Sequence, residues 1–433
     1  RIYGKSEGIE KARRNEIQTK RNEESGELSD GGIMNTELLA PAGNFEKMKT
    51  AFRFGADAAY IGGKNFSLRA FSDNFTADEL KNAVRYAHER GKKVYVTANI
   101  FARNADFSLL SDYFRILEEI GADGAIVSDP GVMYALKKAA PSLPLHVSTQ
   151  ANTLNKYAVK FYGETLGAAR VILARELSIA EISEIRQYNP DIELEAFVHG
   201  AMCISYSGRC LLSDYLDGRS SNRGACVQCC RWKYEIRALN PTNGDTGWLP
   251  LEEDGRGAYI LNGKDLNMIE ELSALKNAGV NSFKIEGRMK SEYYLATVVN
   301  AYRRALNGED VSRCERELYA VAHRNYTKAY AYGNNAKTEE YSAGQVKGEY
   351  DYVANVLSCE NGRVRAEMRN RFREGETLCV LSPSENYGKE FSVKNMFSEN
   401  ENAASDDAKL VQGIYSFDCP YPLREGDILR RRA

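Results

Sequence analysis

GADAAYIGG, residues 55–63, decides the fold, because its plan recurs three times: GADGAIVSD at 121–129, GAARVILAR at 167–175 and GVNSFKIEGR at 279–288. Before each, a helix-like amphipathic segment stops at glycine, which accepts the left-handed conformation that ends a helix. Behind each glycine comes an aliphatic, β-branched run too short for a helix, the mark of a buried parallel strand. Four further strands fit between the repeats: ELLAPAG from Glu37, KVYVTAN from Lys93, LPLHVST from Leu143 and ELEAFVHG from Glu193. Helical stretches separate them, among them LLSDYFRILEEIG and TADELKNAVRYAHERG, where Thr76 and Glu79 have the spacing of a capping box.

Eight strands alternating with helices is the count of an α/β (β/α)8 TIM-like barrel. A doubly wound open sheet is the rival, but it calls for a glycine-rich phosphate turn after the first strand, and APAGNFEK is not one. The strands run over about residues 36–310, within a barrel domain of residues 34–335. From Tyr341 the pattern changes to alternating apolar and polar residues with turns at ENG and REGE, which predicts a small β-barrel-like domain over 341–433. Inside it, SENENAASDDAKLV is expected as an acidic loop or disordered insertion. Residues 1–33, with seven basic and seven acidic side chains, are expected as a disordered extension.

A barrel also says where chemistry sits, on the loops after the C-terminal ends of the strands. The link from strand seven to strand eight is by far the longest, giving a long insertion after strand seven. It opens with HGAMCISYSGRCLLSDYLDGRSSNRGACVQCCRW, residues 199–232, which holds five of the nine cysteines. RWKYEIRAL and GAYILNGKD in the same insertion are expected as extra strands. Other strands end in polar residues that a barrel brings to one rim: Asn99, Ser148, Gln150, Asn152, Arg175, His199, Lys284, Glu286 and Arg288. Singly, each is an ordinary cap or solvated side chain; their shared position is the signal.

Composition narrows the class. The net charge of −2 and a pI near 6.3 give no global basic field for nucleic acid, although a local basic face would suffice. No apolar run reaches the ~18 residues of a membrane helix, and the N-terminus has no apolar core of a secretory signal. A cytoplasmic chain with reduced thiols and no membrane partner is therefore expected. Clustered cysteines in that setting are metal ligands or catalytic groups before they are disulfides, and their odd number fits full pairing poorly. Cys203-x6-Cys210-x15-Cys226-x3-Cys230 supplies the four thiolates of a [4Fe–4S] cluster or an all-cysteine zinc site. Structural zinc usually takes two close pairs; here only the second is close, which favours the cluster and keeps zinc as runner-up. Cys314, Cys359, Cys379 and Cys419 are scattered and fit core packing.

EAFVHGAMCISYSGRCLLSDYL, continued by ACVQCCRWKYEI, resembles the signature of the peptidase U32 family. ELLAPAGNFEKMKTAFRFGADAAYIGGKNFSLRAFSDNF, NGKDLNMIEEL, FKIEGRMKSEYYLATVVNAYRRAL and AHRNYTKAY extend the resemblance over about residues 36–420. It is strongest to the longer members, which act in tRNA hydroxylation and also carry the name of collagenase-like proteases. The resemblance implies an iron–sulfur enzyme that hydroxylates C5 of the wobble uridine of certain tRNAs without oxygen, with prephenate as co-substrate. It also implies tRNA, and a shorter U32 paralogue, as partners. Cys203, Cys210, Cys226 and Cys230 fall on the family's cysteines, and Cys229 is an addition. Asn267 stands where ubiquinone-pathway relatives place a ligand cysteine, and Ala329 replaces the glycine of a YTxG element.

Prephenate has two carboxylates, and guanidinium forks bind carboxylates bidentately, which selects Arg69, Arg175 and Arg288 as its clamps. Lys284, Glu286 and His199 are the candidate catalytic side chains, with Asn99, Gln150 and Asn152 beside the substrate. A U32 peptidase is the alternative, with little chemistry to support it. The only G-x-S-x-G is GKSEG at residues 4–8, following no strand, and H-E-x-x-H is absent. A Cys203–His199 pair is conceivable, but crowded thiols suit metal ligation better. A non-catalytic RNA-binding protein is the further alternative, carried by the C-terminal part. There Arg369, Arg371, Arg373 and the Arg430–Arg432 run offer contacts to phosphate.

Overall fold

The computed structural model describes residues 36–64, 66–67, 74–203, 205–206, 209–223, 225–232, 237–240, 244–248, 263–333 and 346–433. The 1–33 extension with its GKSEG motif, Arg69 in its loop, and most of GAYILNGKD lie outside the described residues.

Seven strands follow one another round the barrel: β1 (Glu37–Pro41), β2 (Ala58–Gly62), β3 (Lys93–Ala98), β4 (Gly124–Val127), β5 (Leu145–Val147), β6 (Ala168–Ile172) and β7 (Glu193–Ala201). Helices α1 (Phe45–Arg53), α2 (Ala77–His88), α3 (Phe107–Glu119), α4 (Pro130–Ala139), α5 (Lys156–Leu166) and α6 (Ile179–Tyr188) alternate with them. Every neighbouring pair is parallel. The insertion after β7 contains α7 (Leu212–Asp217), the β8 (Arg237–Asn240) and β9 (Gly244–Trp248) hairpin, and β10 (Asp265–Asn267), antiparallel to β7. After α8 (Leu272–Asn277), β11 (Ser282–Ile285) pairs in parallel with both β7 and β1 and closes the barrel. Helices α9 (Glu292–Leu306) and α10 (Val311–Leu318) complete it. All eight barrel strands fall in the segments that the sequence marks out.

Local chemistry sets the helix starts. Asn44, Thr76, Asp129, Asn155, Ser178 and Ser291 each accept a hydrogen bond from a backbone N–H in the first turn of the helix they precede. Such caps are worth about 1 kcal/mol each. Thr76 and Glu79 form the reciprocal capping box that their spacing predicts. Gly200, at φ 108°, is required where the end of β7 meets the end of β11: a Cβ there would sit 2.6 Å from the Glu286 carbonyl oxygen.

Phe54, Phe114 and Phe283 fill the layer around the barrel, but its interior carries charge. Glu195 of β7, fully buried, binds Lys284 Nζ at 2.6 Å and Arg170 Nη1 at 3.1 Å. Arg170 also reaches Glu37 and Glu193, each at 2.6 Å, and Tyr95 donates to Glu37 at 2.7 Å. Burial pushes the Glu37 carboxyl up, and Arg170 with its other donors outweighs this and holds it below the usual range. His146 packs 4.6 Å from Tyr95 in the space left by Gly124, and burial pushes its pKa well down.

Residues 350–433 form an antiparallel β-domain with its own core of Val353, Phe372, Phe391, Tyr415 and Phe417. Its first hairpin turns at Asn361 and Gly362, whose φ values of 50° and 78° suit a two-residue hairpin turn. SENENAASDDAKLV takes part in strand pairing rather than forming an insertion: Ala403–Ala404 pairs with Phe397–Ser398 in the main sheet, and Asp407–Ala408 with Phe372–Arg373 in a separate two-stranded one. Two of its four acids are paired with arginines, Asp407 with Arg371 and Glu399 with Arg365. The domain is tied to the barrel by buried Glu317 of α10, which accepts from Arg430 Nη2 at 3.0 Å and Tyr387 at 2.6 Å. Arg53 also binds buried Asp427 at 2.6 Å, and Tyr293 stacks on Tyr352.

Candidate active site and cysteine loop

The cysteine loop leaves the C-terminal end of β7 and lies against the loop after β3. Arg223 fastens it there, donating to the Phe101 carbonyl at 2.7 Å and to Asp106 at 3.0 Å. That hydrogen bond is the main cause of the lowered Asp106 carboxyl pKa. Within the loop, Ser213 of α7 accepts from Val227 N and donates to the Arg219 carbonyl, while Ser221 donates to the Cys210 carbonyl. The loop is thus cross-braced from Cys210 to Val227.

No disulfide joins any of the nine cysteines. Cys203 is exposed, Cys210, Cys226 and Cys230 are half-buried, and Cys229 is buried. Burial first, then the nearby thiols of Cys226 and Cys210, pushes the Cys229 thiol up. Among the described residues no three His, Cys, Asp or Glu side chains converge closely enough to hold an ion. The donor set itself suits a soft metal centre: five thiols on one braced loop, with Cys210 and Cys226 each in electrostatic range of Cys229.

The barrel brings the other sequence-selected residues to two depths. At the rim, Arg175 donates to the Ala201 carbonyl at 2.8 Å and lies over the Phe197 ring at 4.5 Å. Gln150 and Asn152 follow β5; Asn152 is left-handed at φ 55°, and its Oδ1 and the Gln150 Oε1 are buried without a hydrogen-bond partner. Asn99 accepts from Ser128 through its carbonyl. Glu286 accepts from Tyr60 at 3.4 Å, a long contact. Arg288 is buried and forks between Thr97 at 3.0 Å and Ser67 at 2.7 Å. Gly62 makes room for that fork, since a Cβ there would lie 2.5 Å from Arg288 Nη1.

One layer deeper, Lys284 sits over Tyr60 at 4.4 Å and is paired with Glu195, not with Glu286. Period-two alternation would put Lys284 and Glu286 on one side, but the β7–β11 register shifts after Lys284. Sequence reading missed Glu195, Arg170 and Glu37. Their signal was available: charged residues inside otherwise apolar strands.

His199 is also removed from the rim. It is 1% exposed, lies among Tyr294, Tyr302 and Tyr326, and its Nδ1 is 3.4 Å from the Tyr302 hydroxyl. Burial drives its pKa down to about 3 against the raising influence of Asp265. The folded-state pKa is depressed, so as pH falls below about 6.5 the unfolded chain takes a proton that the folded state refuses. Stability is then lost at up to about 1.4 kcal/mol per pH unit, roughly 2 kcal/mol by pH 5. Urea unfolding at pH 7.5 and 5 should show this loss, and His199→Gln should lose correspondingly less. Equal losses in both proteins would contradict a neutral, buried His199.

The comparisons with known proteins follow the same division of the chain. The profile of peptidase family U32 matches residues 43–341, and that of the family's C-terminal domain matches 348–430. The chain belongs to peptidase family U32. Among family members, it is 39% identical to a Bacillus subtilis protein named tRNA hydroxylation protein P1, over 91% of this chain and 94% of the other. It is 35% identical to tRNA hydroxylation protein P of Escherichia coli, over 89% and 94%. A Porphyromonas gingivalis protein named collagenase is 31% identical over 72% and 77%. Among the described residues no helix is long and apolar enough to cross a membrane.

Proposed function

We propose that this U32 member is a tRNA-modifying enzyme that hydroxylates C5 of the wobble uridine, independently of oxygen, with an iron–sulfur cluster and prephenate. The observation that carries the reading is the thiol-rich loop braced onto the catalytic face by Arg223, in a chain that spans nearly the whole length of two tRNA hydroxylation proteins. Cys203, Cys210, Cys226 and Cys230 would hold a [4Fe–4S] cluster, which supplies one-electron chemistry when bound. Ligand loops are commonly drawn together by the metal they bind. Arg175 and Arg288 provide planar cations for the carboxylates of prephenate, with Gln150 and Asn152 offering amide groups from the turn after β5. Lys284, paired with Glu195 beneath them, sets the charge under the substrate.

The peptidase alternative is weaker on this geometry. A Cys203–His199 couple needs a histidine that takes the thiol proton, and His199 is buried with a strongly depressed pKa. Arg288→Lys keeps the charge but loses the fork to Thr97 and Ser67. Hydroxylation should fall about tenfold or more while iron and sulfide contents hold. Full activity of Arg69→Lys, Arg175→Lys and Arg288→Lys at every prephenate concentration would move the carboxylate site elsewhere.

A further inference from the structure

The arginines that the sequence offers to RNA share their surface with carboxylates, and Arg430 is buried. Arg430 is buried on Glu317, Arg431 binds Glu376 and Asp351, Arg371 and Arg373 share Asp407, and Arg369 binds Glu367. A different cationic surface lies where α1, α2 and the C-terminal domain meet. A cleft of about 580 Å³ is lined by Lys49 and Arg53 of α1, Arg90 and Lys92 after α2, and Arg424 of the C-terminal domain, with no carboxylate in its lining. All five cations are at least partly exposed, so they form a stripe facing solvent rather than an enclosed pocket.

The cleft is preformed. The Arg53–Asp427 pair fixes one wall to the other, and Asp427 is itself fully buried. Arg53 Nε is buried there without a hydrogen-bond partner. Arg90 is held flat, 3.6 Å over the Tyr86 ring and donating to the Tyr86 carbonyl. The nearest carboxylates of Lys49, Arg90 and Lys92 are Glu46, Glu89 and Asp57, which lie outside the lining. Exposed pairs of this kind are weak and screened, so an incoming phosphate competes with them readily. Arg53 ends α1, and Arg90 and Lys92 sit in the link into β3, so the cleft lies at the end of the barrel opposite the catalytic rim.

We propose that this cleft is a second RNA contact, a track for the sugar–phosphate backbone of the tRNA body while the target nucleotide is held at the catalytic rim. The inference rests on the tRNA reading above. A solvent-facing row of cations suits a polyelectrolyte better than a small anion, and a ligand that reaches both ends of the barrel must be long. Neither domain alone supplies the full row.

The test uses the full chain with Lys49→Gln, Arg90→Gln and Arg424→Gln combined, and Arg90→Gln with Arg424→Gln as a milder variant. Arg53 is left in place because it joins the domains. Binding of full-length unmodified tRNA and of an anticodon stem–loop oligonucleotide is measured by anisotropy over a salt series. The triple variant should lose roughly tenfold or more in tRNA affinity, and its log–log salt slope should shrink by about two to three. The milder variant should lose about two of slope. Affinity for the stem–loop should stay as in the unaltered protein. Unchanged tRNA affinity and slope in both variants, with hydroxylation intact, would overturn the cleft alone and leave the functional reading standing. The same holds if inorganic phosphate at millimolar concentration saturates the cleft of the unaltered protein and leaves tRNA binding untouched. Failure of the unaltered protein to bind tRNA at all would overturn both.

Discussion

Changing Cys203, Cys210, Cys226 or Cys230 singly to serine should abolish iron, acid-labile sulfide and hydroxylation together, with activity falling by at least ~100-fold. Altering even outer-shell groups of metal sites commonly costs 10–100-fold, and a lost thiolate ligand should cost at least as much. Cys229→Ser is the internal comparison and should retain cluster and activity. It is also the substitution that tests the ligand set, because Cys229 lies in electrostatic range of both Cys210 and Cys226. If Cys229→Ser loses the cluster and Cys230→Ser keeps it, the fourth ligand is reassigned. Stoichiometric zinc without sulfide after anaerobic purification would replace the cluster with the runner-up metal.

The second large effect is on stability. Glu195→Ala removes the carboxylate shared by Lys284 and Arg170 at the centre of the barrel. Glu195 and Lys284 are 0% and 4% exposed, so the stranded Lys284 gains little from water, while Arg170 keeps Glu37 and Glu193. Breaking a buried pair in this way costs about 3–5 kcal/mol, whereas replacing both partners by apolar residues of similar volume is often near neutral. Urea unfolding at pH 7 should therefore show a large loss for Glu195→Ala and a substantial recovery in Glu195→Leu with Lys284→Met. A loss below 1 kcal/mol for the single change would mean that the barrel interior is hydrated and the pair is not a buried one.

How much of the fold is legible in the sequence follows from the range of the forces involved. The barrel was legible because helix-stop glycines and short aliphatic strands repeat, and each is a local signal. Thr76 and Glu79 sit three residues apart, so their capping box was legible too. Contacts that cross the barrel were not. Glu195 meets Lys284 across 89 positions and Arg288 meets Thr97 across 191, and no spacing rule connects such pairs. His199 ends a strand at the rim by sequence, yet Tyr302, over a hundred positions away, takes it out of solvent. The C-terminal arginines looked like a phosphate patch because several of their carboxylate partners are distant in the chain, Glu317 for Arg430 and Asp407 for Arg371. The acidic stretch around Asp407 looked like a loop for the complementary reason: the partners of Glu399 and Asp407 are Arg365 and Arg371, more than thirty positions away.

The most direct test of the proposed function is the nucleoside content of total tRNA from a strain that lacks both this gene and any oxygen-dependent uridine hydroxylation. The account predicts that 5-hydroxyuridine and its derivatives are absent from wobble positions. They should return with the unaltered gene and not with the Cys203→Ser form. Wobble hydroxylation that persists at the level of the parent strain, with all other nucleosides unchanged, would contradict it.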